Sequence, residues 1–188
     1  METFIFEVIR MAAEPETIDL MANIFSQAIK KTLEKSTKKT IRYSTTFQSV
    51  PRVSLQPEIG CFVLFSGDYS GLVVMNFSAA AAMDLYRSYM ISMGLSESGL
   101  AKEYTSSEVI DTIGEMTNQV IGRAMSLVET KYDLTSFCGQ PKALALNNAI
   151  TLIPEMNYQN NRRVSFTIDA NRFHMELAME QTQFVVFK

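Results

Sequence analysis

A long amphipathic helix in the second half of the chain constrains the fold more than any other feature of the sequence. From Ser106 to Glu129 there is no proline, and apolar residues recur at a helical spacing. These apolar residues are Val109, Ile113, Met116, Val120, Ala124 and Leu127. Ser106 or Ser107 can serve as the N-cap, and Glu108 and Asp111 lie in or near the first turn, where acids complement the helix dipole. The sequence therefore predicts a long helix that buries one face.

A second stripe of the same helix lies roughly opposite the apolar one. At about 100° per residue, this stripe contains Asp111, Glu115, Asn118, Gly122 and Met125. Glu115 and Asn118 are expected to point together into solvent, and Gly122 removes side-chain bulk one turn later. Such a surface is suited to contact a partner. Further along the chain, Pro141 follows Asn118 after 22 intervening residues.

The spacing of these residues resembles the signature of the CheC/CheX/FliY class of chemotaxis phosphatases, Asp/Ser-x3-Glu-x2-Asn-x22-Pro. The chain supplies it as Asp111, Glu115, Asn118 and Pro141. A bare Glu-x2-Asn is expected by chance in roughly every second chain of this length, but the full spacing in only about a few chains per thousand. The similarity covers about residues 17–180, because a hairpin at 60–78 and a helix at 79–93 also precede the signature helix in this class.

The resemblance implies a protein phosphatase that hydrolyses the aspartyl phosphate of a CheY-like response regulator and so terminates a chemotaxis signal. Glu115 is similar to the acid that pairs with the active-site lysine of the receiver domain, and Asn118 to the amide that orients the attacking water. Asp111 and Gly122 would support the helix or the partner interface, whereas Pro141 would shape a neighbouring loop or strand. The resemblance implies no cofactor or metal in this chain, and Mg²⁺ is expected on the receiver.

Other catalytic arrangements are missing from the sequence. His174 is the only histidine, expected on the solvated face of a strand, and Cys61 and Cys138 lack metal-ligand spacing and are expected to be reduced core thiols. Neither a zinc site, a histidine-based triad nor a nucleotide-binding loop is therefore credible. A non-catalytic module of the same fold, which docks a receiver or a flagellar-switch component, remains the alternative. The intact Glu/Asn pair favours the enzyme.

The resemblance also implies an internal pseudo-repeat, in which each half is a long helix followed by strands. The first helix is predicted at about 17–35, and Asn23 lies where a second catalytic asparagine would be. Leu20 occupies the place of the accompanying acid, so the pair is kept once, as in the CheX type. Asn23 is then either a remnant or a structural hydrogen-bonding residue. The CheX type also implies a homodimer that pairs through sheet edges, and residues 183–188 are one candidate edge.

We predict an α/β fold in which a mainly antiparallel sheet packs against two long helices. Strands are expected at 39–47, 50–56, 60–67, 70–78, 134–147, 163–170, 172–180 and 183–187. The segment from Leu152 to Arg163 is interpreted as a long loop. No linker-like stretch divides the 188 residues, so a single domain over 1–188 is expected.

Charge and hydropathy narrow the location and the partners. The net charge of −3 argues against a general nucleic-acid binder. The apolar runs are too short to span a bilayer, and Glu2 and Glu7 lie where a signal peptide needs positive charge. A cytoplasmic protein that does not bind membranes is therefore expected. The apolar residues at the N-terminus, within 1–16, could form an added strand or an oligomer contact.

Overall fold

The computed structural model describes residues 16–152 and 160–180, and it has the predicted α/β architecture. Its helices are α1 (Thr17–Thr37), α2 (Ala79–Ser92) and α3 (Ser107–Tyr132), and a short 3₁₀ turn spans Glu97–Gly99. The strands of the first half are β1 (Ile41–Tyr43), β2 (Gln48–Ser49), β3 (Ser54–Leu55), β4 (Ile59–Gly67) and β5 (Gly71–Phe77). Those of the second half are β6 (Ser136–Cys138), β7 (Lys142–Ala145), β8 (Ile150–Thr151), β9 (Asn160–Ile168) and β10 (Asn171–Met179).

The strand pairing is antiparallel and repeats between the two halves. The main sheet has the order β1-β9-β10-β5-β4-β6, β2 also pairs with β9, β7 also pairs with β4, and β3 pairs with β8 in a separate ribbon. Strands β1 to β5 correspond in order to β6 to β10. Each pair then has a counterpart: β1–β9 corresponds to β6–β4, β2–β9 to β7–β4, and β4–β5 to β9–β10. The halves meet at the centre of the sheet, where Met75 of β5 lies opposite Met175 of β10. This pairing confirms the predicted pseudo-repeat.

The main core lies between the helices and one face of the sheet. Helix α1 buries Met21, Phe25 and Ile29 there, and α3 buries Ile113 and Val120. In α3 the fully buried stripe ends at Val128, whereas Leu127, which the sequence assigned to the core face, is only partly buried. The opposite face of the sheet is covered in part by the β3–β8 ribbon, in a second cluster made of Val53, Leu55, Leu72, Val74 and Ala178.

Several strand boundaries differ from the sequence prediction. The single strand expected at 134–147 is two strands, because Pro141 lacks an N–H and lies in the break between β6 and β7. The strands expected at 39–47 and 50–56 are reduced to β1, β2 and β3, and β8 was not predicted. Strand β9 begins at Asn160, within the segment predicted as a loop. The predictions for residues 1–15, for the loop at 153–159 and for the strand at 183–187 lie outside the described residues.

The two cysteines have different environments. Cys61 is buried in β4, and burial raises the pKa of its thiol to about 11. Cys138 is exposed at the end of β6, so the interpretation of it as a core thiol is wrong. Both are free cysteines, as expected.

A buried carboxylate attaches β3 to the sheet. Glu176 of β10 accepts hydrogen bonds from the backbone N–H of Ser54, at 2.7 Å, and from the Nε of Arg163, at 2.9 Å. The Nε2 of His174 lies 3.6 Å from Glu176 Oε1 and 3.1 Å from the Nδ2 of Asn76. The interpretation of His174 as a solvated histidine is therefore wrong, because it belongs to this network.

We expect replacement of Glu176 by Gln to lower the free energy of unfolding at neutral pH by about 2 kcal/mol, since it leaves Arg163 without its charged partner. This loss of stability is smaller than for a fully buried ion pair, because the Arg163 side chain is 33% exposed. Burial would raise the pKa of Glu176, but the nearby His174 ring and the hydrogen bonds from Ser54 and Arg163 outweigh burial and lower the pKa from 4.5.

The lowered pKa fixes the pH dependence of this contribution. A carboxyl with a depressed folded-state pKa stabilises the fold above its unfolded pKa, and this stabilisation is lost as pH falls through the folded value. Urea unfolding at pH 7 and at pH 3 should therefore show a difference between wild type and Glu176→Gln that shrinks at low pH. Glu129→Gln, which removes an exposed acid, is the control. Equal stability of Glu176→Gln and wild type at pH 7 would contradict this account.

Candidate functional site

Helix α3 fixes the direction of the candidate site residues. Its N-terminus is capped by Ser106, whose Oγ accepts from the N–H of Val109 at 3.4 Å, and it ends at Asp133, which adopts a left-handed conformation with φ 56°. On the buried face, the hydroxyl of Thr117 donates to the carbonyl of Ile113 at 2.8 Å. With this face against the core, Asp111, Glu115 and Asn118 of the opposite stripe are exposed, whereas Met125, also predicted in that stripe, is partly buried against the core.

A groove of about 380 Å³ lies between α3 and the chain that enters β7. Asp111, Glu115 and Asn118 line it from the helix, and Pro141 lines it from the opposite wall. Glu115 and Asn118 are three residues apart on α3, so their Cβ atoms are roughly 5–6 Å from each other. The fold thus brings all four residues of the signature to one open surface, although Pro141 is far from the others in sequence.

Other residues of the groove were not found by sequence reasoning. Gln140 and Lys142 flank Pro141, and Lys142 is the one cation among the described residues that line the groove. Their position next to the signature proline could have suggested them, but no motif or periodicity of their own predicts that they line the groove. Gln119 was also missed, although it lies one turn after Glu115. Its Nε2 donates to Glu115 Oε1 at 3.1 Å and holds the carboxylate on the helix surface.

Gly122 does not line the groove. It is exposed on the next turn of α3, and a Cβ placed there would meet no heavy atom of the described residues within 4 Å. The helix surface beyond Asn118 is therefore flat and open. By contrast, a Cβ at Gly114 would lie 3.7 Å from the Cβ of Ala143, so α3 and β7 are close together at the floor of the groove.

The corresponding place in the first half has a different structure. Asn23 is exposed on α1, and Asp19 precedes it by one turn. Arg162 of β9 donates through its Nε to Asp19 at 2.6 Å and through a terminal nitrogen to Glu16, also at 2.6 Å. Burial would lower the pKa of Arg162, but pairing with Asp19 and Glu16 outweighs it and raises the pKa. The two acids on this side are therefore committed to an arginine of the same chain.

No group of three or more His, Cys, Asp or Glu side chains within residues 16–152 and 160–180 is arranged to hold a metal ion. Across the same residues, none of the helices combines the length and the hydropathy needed to cross a bilayer.

Comparison with known protein families shows the family of this chain. A family profile described as "Protein of unknown function (DUF3334)" matches residues 14–188. The chain belongs to the DUF3334 family. No curated protein matches this DUF3334 sequence significantly.

Solved structures show the fold of this DUF3334 protein. A CheX protein from Desulfovibrio desulfuricans is 15% identical, with a TM-score of 0.69 over 86% of this chain and 99% of that chain. A CheC-like superfamily protein from Shewanella sp. PV-4 is 17% identical, with a TM-score of 0.68 over 87% and 98%. The CheX of a CheX–CheY–BeF₃–Mg²⁺ complex from Borrelia burgdorferi is 12% identical, with a TM-score of 0.60 over 85% and 97%. The predicted similarity to the CheC/CheX class is thus confirmed at the level of fold.

Proposed function

We propose that this protein is a phosphatase that hydrolyses the aspartyl phosphate of a CheY-like receiver domain. The observation that carries the proposal is the groove in which Glu115 and Asn118 lie one turn apart, exposed, with Pro141 on the facing wall. The shared fold adds support, because one structural neighbour, CheX of Borrelia burgdorferi, is in complex with CheY, BeF₃ and Mg²⁺. The reaction would end a chemotaxis signal in the cytoplasm.

Asn118 is the residue that we assign to the water. An aspartyl phosphate is already activated, and Mg²⁺ on the receiver neutralises its charge, so catalysis depends mostly on positioning. The Asn118 amide can donate one hydrogen bond and accept another, and it therefore orients a water without a proton-transfer role. The water oxygen forms the new bond to phosphorus as the bond to the aspartyl oxygen breaks. The products are inorganic phosphate and the free carboxylate.

Glu115 is assigned to docking. Its carboxylate is exposed and lies on the same face as Asn118, so it can pair with a cation of the receiver active site and fix the register of the complex. The contact from Gln119, at 3.1 Å, restricts the carboxylate before the partner arrives. A receiver that brings a lysine to Glu115 then places its phosphoryl group near Asn118.

The other signature residues shape this surface. Asp111 lines the groove one turn before Glu115 and supports the interface, whereas Pro141 forms the facing wall. Gly122 leaves the surface beyond Asn118 flat, which suits contact with a folded domain. Lys142 adds a cation to a groove that otherwise carries two acids.

The test is the decay rate of phosphorylated receiver domains with and without this protein. We expect this protein to accelerate the decay of at least one phosphorylated candidate receiver in the presence of Mg²⁺. If receivers bind in their phosphorylated form but decay at their intrinsic rate, the protein is a non-catalytic module that docks receivers, and the phosphatase proposal is wrong.

In the same assay, we expect Asn23→Ala to keep activity within about threefold of wild type, less than ~1 kcal/mol in the barrier. Asn23 is exposed, but Leu20 occupies the place of the acid that a second site would need, and the nearby Asp19 is paired with Arg162. A hundredfold loss in a folded variant would show a second site in the first half.

We also propose a homodimer that forms through a sheet edge. Residues 183–188 lie outside the described part of the chain, but the β6–β7 edge carries exposed apolar side chains on one face of the sheet. Phe137 is 78% exposed, and Leu64 and Leu144 are 51% and 42% exposed. Such an edge favours association with a second sheet.

Sedimentation velocity at micromolar concentration should show a species of twice the 21.2 kDa chain mass. Phe137→Asp should shift it to the monomer, whereas Ile91→Asp, at an exposed apolar position on α2, should not. A wild-type protein that sediments only as a monomer would exclude the dimer.

A further inference from the structure

A second groove lies where the three helices meet, apart from the groove that contains Glu115 and Asn118. It has a volume of about 390 Å³ and is lined by the last turns of α1, the end of α2 and the middle of α3. The proposed phosphatase reaction does not use it.

The charged residues that line this groove are all positive. Lys35 and Lys38 line it from the end of α1, and Arg123 lines it from α3, whereas none of the described lining residues is acidic. Within residues 16–152 and 160–180, none of the three cations forms an ion pair with a carboxylate. Three unpaired like charges around one concave surface repel one another, and a bound anion relieves this repulsion.

The end of α1 does not cancel this charge. A helix C-terminus carries roughly half a negative charge, which opposes an anion. Here the carbonyl of Ser36 accepts a hydrogen bond from Ser92 Oγ at 2.6 Å, and that of Lys35 accepts from Lys38 Nζ at 3.0 Å. Two of the terminal carbonyls are therefore occupied, and the three full positive charges outweigh the remaining dipole.

An unpaired hydroxyl is a second, independent feature of the groove. Thr32 lines it, its side chain is buried, and its Oγ1 has no hydrogen-bond partner among the residues that the structure describes. Several other helical hydroxyls in this protein donate to the carbonyl four residues earlier, as those of Thr37 and Thr117 do at 2.7 and 2.8 Å. An unpaired buried hydroxyl is destabilising, and an anion that entered the groove would supply an acceptor.

We propose that this three-helix groove binds a phosphate-bearing anion through Lys35, Lys38 and Arg123. The apolar sides of Tyr89 and Met93 form part of the wall, so a small phosphorylated metabolite fits the lining better than inorganic phosphate alone. Gln119 also lines this groove while its Nε2 donates to Glu115, and it connects the two grooves physically. Any effect of the anion on catalysis rests on the proposed function, but binding itself does not.

Binding is tested without a receiver, by titrating the ¹⁵N-labelled protein with inorganic phosphate and, separately, with AMP. Saturable shifts are expected for the backbone amides of Lys35, Lys38 and Arg123 and for the side-chain amide of Gln119. Tighter binding of AMP would identify a phosphorylated metabolite as the ligand class, and equal or tighter binding of phosphate would identify the free ion.

The variant Lys35→Ala/Arg123→Ala should bind either probe at least tenfold more weakly than wild type. The control Lys31→Ala/Arg87→Ala removes the same charge from exposed positions on α1 and α2 outside the groove, and it should bind within twofold of wild type. Thr32→Val should keep or raise the melting temperature, because it removes an unpaired buried hydroxyl, and it should weaken binding about fivefold, which separates ligand contact from folding. The proposal is overturned if neither probe saturates by about 20 mM, or if Lys35→Ala/Arg123→Ala or Thr32→Val binds as tightly as wild type.

Discussion

Replacement of Asn118 by Ala should lower the rate of receiver dephosphorylation about a hundredfold or more, which corresponds to ~2.7 kcal/mol in the activation barrier. The Asn118 side chain is exposed on α3 and lines the groove, so its removal leaves the fold and most of the docking surface intact. What is lost is the amide that we assign to orienting the water. Binding of a receiver that carries beryllofluoride and Mg²⁺ should therefore be largely kept, and the loss should appear in the hydrolysis step.

Stopped-flow decay of the phosphorylated receiver measures the rate, and a titration with the beryllofluoride form measures binding. Asn23→Ala is the matched control, since it removes an exposed asparagine from the equivalent helix of the first half. Asn118→Asp keeps the shape of the side chain but removes its donor, and it should also be slow. If Asn118→Ala hydrolyses as fast as wild type, the assignment of the water to Asn118 is wrong even though the fold is right.

The sequence predicted the helical part of the structure well, because helices depend on local periodicity. The apolar spacing in α3 placed Asp111, Glu115 and Asn118 on an exposed face, and the structure shows them exposed. The pseudo-repeat was predicted from the resemblance to the CheC/CheX class, and in the structure both halves carry the same order of helix and strands. Short strands were not: β3 and β8 each have two residues, and their pairing is decided by buried partners such as Glu176, which lies 122 residues from Ser54.

The candidate site was predicted on its helical side only. The role of Pro141 as the facing wall depends on how β7 pairs with β4, which is a long-range contact. Gln140 and Lys142 could not be chosen over other polar residues of the same loop and strand by pattern. The ion pairs of Arg162 with Asp19 and Glu16 link residues 143 and 146 positions apart, so no local signal predicted that these two acids are paired within the chain.

Replacement of Glu115 by Ala should reduce both complex formation and turnover, by about tenfold or more, because the exposed carboxylate is the charge that we assign to receiver docking. The contrast with Asn118→Ala is informative, because Asn118→Ala should slow hydrolysis within an intact complex, whereas Glu115→Ala should weaken the complex itself. Since Glu115 is exposed, the wild-type attraction is screened by salt over about 10 Å at 0.1 M ionic strength. The gap between wild type and Glu115→Ala should therefore narrow as ionic strength rises.

Glu115→Gln separates charge from shape. The amide still fits beside Gln119, which contacts Glu115 at 3.1 Å, but it carries no charge and cannot form an ion pair with a lysine, so Glu115→Gln should resemble Glu115→Ala. Glu129→Gln removes the same charge from the same helix, 14 residues or about 21 Å further along, and should bind receivers as wild type does. Affinity for the beryllofluoride receiver at 50 mM and 500 mM salt, about a tenfold range, tests all three variants. An equal loss of affinity in Glu129→Gln would mean that net charge, and not the position of Glu115, drives association. If the difference in affinity between wild type and Glu115→Ala does not change with salt, the ion pair is excluded.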